Sequence, residues 1–181
     1  MEGICYFYSM KSATSPHLEN LPGDESTMRV TVVSYSAEEI IRNFLALYHC
    51  MDFKAELNDI GIGAFQFSRR KKAIREFQAL SIALWGLALQ KSFPENAEDF
   101  FQEFLVVFLK TLRGGKKGQL LHNRVNIYVD LLHPKKDTDF QPVATYLAEV
   151  LALSAGDMPR LRLKLSLLMR NLYSMIFDKL V

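Results

Sequence analysis

The chain has 181 residues, of which 49% are hydrophobic and 23% are charged, and its formal net charge is +2. This length and composition predict a folded domain with a sizeable core, and they exclude a fibrous or wholly disordered chain. Two cysteines, Cys5 and Cys50, are too few to indicate a disulfide framework.

The charges are unevenly distributed along the chain. Residues 69–136 contain 13 of the 22 Lys and Arg residues but only six carboxylates. A locally basic region favours an anionic partner, although it is also typical of a charged surface that has no partner.

No stretch of the sequence has the character of a membrane segment. The best candidate, Ala79–Leu89, is shorter than the roughly 18–20 apolar residues that a membrane-spanning helix needs. The opening MEGICYFYSM lacks the basic start and long apolar centre of a secretory signal. We therefore predict no transmembrane segment and a cytoplasmic location.

Residues 1–35 are predicted to form a flexible N-terminal arm, and residues 36–181 the helical domain. KSATSPHLENLPGDEST is rich in Ser, Thr, Pro, Gly and acids, and such a segment buries too little apolar surface to fold by itself. The β-branched RVTVVSYS (Arg29–Ser36) predicts at most one short strand.

The first two predicted helices follow this arm. Ser36 and Glu39 fit a capping box, and apolar residues at helical spacing extend the first helix to about Leu57. The second helix runs from about Arg69 to Gln90. Its second half is apolar on all sides, which is typical of a central helix, and Gly86 permits another chain segment to approach closely.

Four further helices are predicted. The segment Arg113–Gln119, RGGKKGQ, is predicted to be a turn between two of them, and RLRLKLSLL (Arg160–Leu168) alternates like a strand. Because Leu and long cations favour helix, we assign it to the last helix. The four ranges are Glu95 to about Leu112, Leu120–Leu132, about Val143–Ser154, and Asp157 to about Phe177. The fold class is all-α, a single bundle-like domain of about six helices.

The start of the second helix carries a run of cations, which oppose the helix macrodipole and so suggest an external anionic partner. The alternative is a solvated helix end whose Lys and Arg stems cover apolar surface. Glycines beside Lys116 and Lys117 could present backbone N–H groups to an anion, or simply form a connecting turn. The candidate anion- or partner-binding residues are Arg69, Arg70, Lys71, Lys72, Arg75, Lys116 and Lys117.

No catalytic, metal or cofactor site is predicted. The residues His17, His49, His122, His133 and Cys50 show none of the spacings of zinc or di-iron sites. Cys50 is expected to be a small buried group. Neither a nucleophile elbow nor a dinucleotide-binding glycine pattern occurs in a suitable context.

The last helix has more apolar residues than one buried face needs, among them Tyr173, Met175 and Phe177. Such a surplus suits helix–helix association, including a two-fold homodimer, whereas a basic amphipathic helix could also lie on a membrane surface.

These patterns support three hypotheses about function. The prediction is a non-catalytic helical protein-interaction or regulatory module that self-associates. The alternative is an anion or nucleic-acid binder that uses Arg69–Lys72 and the Arg113–Lys117 turn. A helical small-molecule enzyme, with a deep pocket lined by His49, Cys50 or His122, is the third.

Overall fold

The computed structural model describes residues 36–111, 115–132, 139–153 and 158–180. Within these ranges every regular element is an α-helix. In chain order the helices are α1 (Ala37–Cys50), α2 (Lys54–Asp59), α3 (Phe67–Ser92), α4 (Ala97–Thr111), α5 (Lys116–Leu132), α6 (Gln141–Val150) and α7 (Met158–Asp178). The predicted all-α fold is confirmed, with seven helices in the described ranges where about six were predicted.

Several predictions concern residues outside these ranges. They are the arm of residues 1–35 with its short strand, Arg113, the N-cap Asp157, and the side chains of Cys5, His17 and His133.

Helix α1 begins as the sequence predicts. Ser36 Oγ accepts a hydrogen bond from the backbone N–H of Glu39 at 3.2 Å, and the Glu39 carboxylate accepts one from the backbone N–H of Ser36 at 3.3 Å. These two bonds form the predicted capping box.

The prediction that this helix continues to about Leu57 is wrong. Met51 is extended, with φ −67° and ψ 116°, and α2 starts after it as a separate helix. The break allows the Phe53 side chain to enter the core, where its ring stacks on Phe77 at a centroid distance of 5.2 Å. Burial of a phenylalanine stabilises a fold by about 1.5–3 kcal/mol, which is enough to offset the interrupted helix.

Helix α3 is the centre of the domain, as predicted. It contacts α1, α4, α5 and α7. Between Ala79 and Leu89 every side chain except Leu87 is buried. A helix that is surrounded in this way must be apolar around its whole circumference, which is what the sequence shows.

Gly86 fixes the approach of α4 to α3. A Cβ added at Gly86 would lie 2.9 Å from a ring carbon of Phe101, so any larger side chain would require the Phe101 ring or α4 itself to shift. The neighbouring aromatic cluster joins three helices: the rings of Phe44 and Trp85 stack at 4.5 Å, and Phe104 lies 4.8 Å from Trp85. Aromatic residues therefore provide much of the packing between α1, α3 and α4.

The predicted turn Arg113–Gln119 is wrong from Lys116 onward, because α5 begins there. Gly118 is buried within the helix, and packing at such a position outweighs the roughly 1 kcal/mol by which glycine disfavours a helix. Lys116 and Lys117 consequently lie in a helical first turn and are both exposed.

Helix α7 includes the alternating segment, so its assignment to a helix is confirmed. Each step of two residues rotates a helix by about 200°, which places alternate leucines on opposite sides. Leu161 and Leu165 are buried against the core, whereas Leu163 and Leu167 are 54% and 49% exposed. The alternation thus gives α7 an inner and an outer apolar face.

In the described part of the chain, no helix combines the length and apolar character that crossing a membrane requires.

Candidate protein-interaction surface

Three of the cations at the start of α3 bind backbone carbonyl groups of the same molecule. Arg69 donates to the carbonyl oxygens of Leu151, at 3.1 Å, and Ala152. Lys72 Nζ donates to the carbonyl oxygen of Val150 at 2.5 Å. The C-terminal end of α6, where a helix leaves carbonyls without intrahelical partners, is therefore capped by α3.

This capping also explains where α6 ends. The helix stops at Val150, earlier than the predicted Ser154, and Ala152 adopts a positive φ of 48°. Cations beside the C-terminal carbonyls of a helix interact favourably with its dipole. Two cations that are unfavourable for their own helix thus stabilise the end of another.

Arg70 has a similar internal role. Its Nη1 donates to the Ile62 carbonyl oxygen at 2.8 Å and to Asn58 Oδ1 at 2.9 Å, which ties the segment between α2 and α3 to the side of α3. Arg70 nevertheless also contributes to the surface described next.

A groove with a volume of about 550 Å³ runs along the first half of α3, and we call it the α3 groove. Lys71 and Arg75 are exposed on its wall, one helical turn apart. No carboxylate is among the described residues that line it. Its lining comprises Lys54, Ala64, Phe67, Arg70, Lys71, Ile74, Arg75 and Gln78.

One of these cations is partly neutralised. Lys54 Nζ lies 2.9 Å from Asp52 Oδ2, and its hydrogen bond holds the pKa of Asp52 below the ordinary value. The positive charge that the α3 groove offers to a partner therefore comes mainly from Lys71, Arg75 and Arg70.

The two most exposed aromatic side chains of the described residues lie at the start of α3 or just before it. Phe65 is 90% exposed, and Phe67, which lines the α3 groove, is 73% exposed. An exposed aromatic patch rimmed by charges is typical of an interaction site. Neither residue is among the candidates predicted from the sequence, although GAFQFS places two phenylalanines directly before the cation run.

No protein-family model, no curated protein and no solved structure matches this chain. The geometry alone therefore carries the assignment of function.

Helix α4 presents the opposite charge. Glu98, Asp99 and Glu103 are exposed in its first half, and the exposed Val106 and Val107 follow. The outward face of α4 is therefore both acidic and apolar.

The outer face of α7 is a third surface with apolar residues. Leu163 and Leu167 belong to it, and Met175 and Phe177 lie further along the helix, partly exposed. By contrast, Leu172 and Ile176 are buried, and Tyr173 is half-buried beside Phe140. The surplus of apolar residues in this helix is thus shared between the core and the surface.

The histidine and cysteine candidates do not come together. His49 and Cys50 are exposed at the end of α1, so the expected burial of Cys50 is wrong. In the described ranges, no group of three or more His, Cys, Asp or Glu side chains is placed to hold a metal ion.

His122 lines a pocket of about 270 Å³ between α3, α4 and α5. One ring nitrogen, Nε2, lies 3.3 Å from Asn126 Nδ2, and Nδ1 is buried without a hydrogen-bond partner. Glu98 and Gln102, hydrogen-bonded to each other at 2.8 Å, line the opposite wall. The described lining includes no Ser, Thr, Cys, Lys or Tyr, and Glu98 is the carboxylate among these lining residues.

A buried polar network connects α3, α5 and α6. Tyr128 Oη donates to Glu76 Oε2 at 2.9 Å, Arg124 Nε lies 3.4 Å from Glu76 Oε1, and Arg124 Nη1 donates to Tyr146 Oη at 2.8 Å. Burial, and then the adjacent Glu76 carboxylate, raise the pKa of Tyr128 far above its ordinary value. Tyr128 therefore stays protonated as a hydrogen-bond donor, which suits a structural role better than acid–base catalysis.

Proposed function

We propose that this protein is a non-catalytic helical interaction module whose α3 groove binds an acidic amphipathic helix of a protein partner. The observation that carries this proposal is the exposed ring of Phe67, which lines the groove together with Lys71 and Arg75, with the exposed Phe65 two residues before it in the chain. Apolar surface of two phenylalanine side chains in contact with water is unfavourable in free energy, and a bound partner would cover it.

The chemistry of the groove indicates what the partner offers. Phe67 and Ile74 need apolar side chains opposite them, whereas Lys71 and Arg75 need carboxylates. Since Lys71 and Arg75 are four residues apart on a helix, their Cβ atoms lie about 5–6 Å apart. An amphipathic helix with carboxylates at the same spacing satisfies both requirements, which is a common mode of peptide recognition.

The test is fluorescence anisotropy with a labelled, designed amphipathic peptide that carries Glu on one side and Leu on the other. We expect saturable binding, and we expect Lys71→Glu with Arg75→Glu to weaken it at least about tenfold, since charge complementarity across the contact is reversed. Phe67→Ala should weaken it by a similar factor through lost apolar contact.

A matched control separates the groove from net charge. Lys91→Glu with Lys179→Glu makes the same change in total charge at exposed positions that do not line the groove. This variant should bind the peptide like the unmodified protein. Equal weakening in both double variants would mean that binding follows overall charge, and the proposal would be wrong.

The same assay with a single-stranded oligonucleotide tests the nucleic-acid hypothesis. Phenylalanines beside cations could stack on bases while Lys and Arg contact phosphates. Oligonucleotide binding that is tighter than peptide binding, falls steeply with salt and depends on Lys71 and Arg75 would replace the protein partner with a nucleic acid.

A further inference from the structure

We infer that the partner helix in the α3 groove is α4 of a second copy of this chain. This assignment deepens the proposed function, because it names the occupant of the same groove. It also gives the predicted self-association a defined contact between two different surfaces.

The exposed face of α4 has the chemistry that the groove requires. Asp99, Glu103 and Val107 are all exposed and follow one another at intervals of four residues. Residues at these intervals form a single stripe along a helix. We call these three residues the α4 stripe.

The groove side of α3 has a stripe with the same spacing. Phe67, Lys71 and Arg75 also follow one another at intervals of four residues, and Ile74 lies beside Arg75. Two stripes with equal intervals can align residue against residue over about two turns of helix.

An antiparallel alignment pairs opposite charges. When Glu103 of one copy faces Lys71 of the other, a rise of 1.5 Å per residue places Asp99 opposite Arg75, about 6 Å further along. In the other direction, Val107, which is 40% exposed, comes opposite Phe67. Two charge pairs and one apolar contact are then made in one register.

The outer face of α7 fits a second copy less well. The charged side chains near Leu163 and Leu167 include Lys164 and Arg170, and two α7 helices would bring these cations together. Like charges that are brought close together in a helix–helix contact are destabilising. Charge therefore favours the contact between the α3 groove and α4 over a contact between two α7 helices.

The test is sedimentation velocity of the full chain at low ionic strength. A contact of a few helical turns is at the weak end of specific association, so concentrations up to about 500 µM are needed. We expect reversible self-association that weakens at high salt, because exposed charges are then screened. A chain that remains monomeric at every concentration would overturn the inference.

Two charge-reversed variants identify the contact. Lys71→Glu with Arg75→Glu changes only the groove, and Asp99→Lys with Glu103→Lys changes only the α4 stripe. All four side chains are exposed, so the helical content should stay the same by circular dichroism. Each variant alone should associate at least about tenfold more weakly than the unmodified chain.

Mixing the two variants supplies the decisive outcome. The α4-reversed copy keeps an intact groove and the groove-reversed copy keeps an intact α4 stripe, and the two reversed surfaces are also opposite in charge, so the two variants should associate with each other although each alone does so weakly. A mixture that stays monomeric would overturn the inference. Association that survives both reversals but is lost in Leu163→Ser with Leu167→Ser would assign self-association to α7 instead.

The peptide assay distinguishes failure of this assignment from failure of the proposed function. A chain that binds the designed acidic peptide in the α3 groove but does not self-associate has another protein as its partner. A chain that does neither lacks the proposed function as well.

Discussion

The two halves of α3 have opposite relations to the rest of the molecule. From Ala79 to Leu89 the helix is enclosed by other helices, whereas from Phe67 to Arg75 one side faces a groove that is open to solvent. The sequence of the enclosed half is determined by packing. In the open half, neighbouring cations do different things: Arg69 and Lys72 bind carbonyls of the same chain, and Lys71 remains exposed. A run of like charges therefore need not be a single site.

The sharpest contrast is between large side chains in the two halves. Trp85→Ala should lower the free energy of unfolding by about 3–5 kcal/mol, because it leaves a cavity in the aromatic cluster. Phe67→Ala removes a mostly exposed ring and should change the free energy of unfolding by no more than about 0.5 kcal/mol. Urea denaturation measures both values, and losses of equal size would contradict the distinction.

Glu76 lies between the two halves and tests the buried network. Glu76→Ala should lower the free energy of unfolding by about 1–3 kcal/mol, since it leaves the buried Tyr128 hydroxyl without its hydrogen-bond partner. Tyr128→Phe removes one hydrogen bond and should cost about 1–3 kcal/mol. If Glu76→Ala unfolds at the same urea concentration as the unmodified chain, the network does not stabilise the fold.

Arg69 and Lys71 test the division of roles among the cations. Arg69→Ala should lower the free energy of unfolding by about 1–3 kcal/mol through loss of its hydrogen bonds to the end of α6. Hydrogen exchange at the amides of Leu151 and Leu153 should become faster. Lys71→Ala should change neither quantity, and equal effects of the two substitutions would show that capping is unimportant.

The smallest predicted effect concerns alkaline pH. Tyr48 packs edge-on against Phe108 at 5.2 Å, and burial raises its pKa to about 12. The unfolded chain loses this proton near the ordinary tyrosine pKa of about 10. The contribution of Tyr48 to the free energy of unfolding is therefore complete below pH 10 and declines as the pH rises towards 12. Urea denaturation should show that the free energy of unfolding falls less between pH 8 and pH 11 in Tyr48→Phe than in the unmodified chain. An equal fall in both proteins would contradict this assignment.

The fold could be predicted because apolar residues recur at helical spacing throughout residues 36–181. The predictions of helix bounds that were wrong depend on contacts between distant segments. The break after Cys50 follows from burial of Phe53 against Phe77 on another helix, and the early start of α5 accompanies burial of Gly118. Neither contact has a local signal in the sequence.

The candidate surface could be predicted only in part. The cation run is evident, but Arg69 finds its partners at Leu151 and Ala152, more than eighty positions later, so its internal role could not be read locally. Glu76 did have a signal that was missed: it shares a helical face with Ala73, Leu80 and Ala83, all of them buried. A carboxylate on an apolar face indicates a buried partner.

The alternating leucines of α7 also have a consequence for misfolding. On an extended chain, Leu161, Leu163, Leu165 and Leu167 would all point to one side and form a continuous apolar edge. A molecule in which α7 separates from the core would then expose a segment suited to intermolecular β-pairing. Arg160, Arg162 and Lys164, which alternate with these leucines, would repel one another in stacked chains and so act as gatekeepers against aggregation.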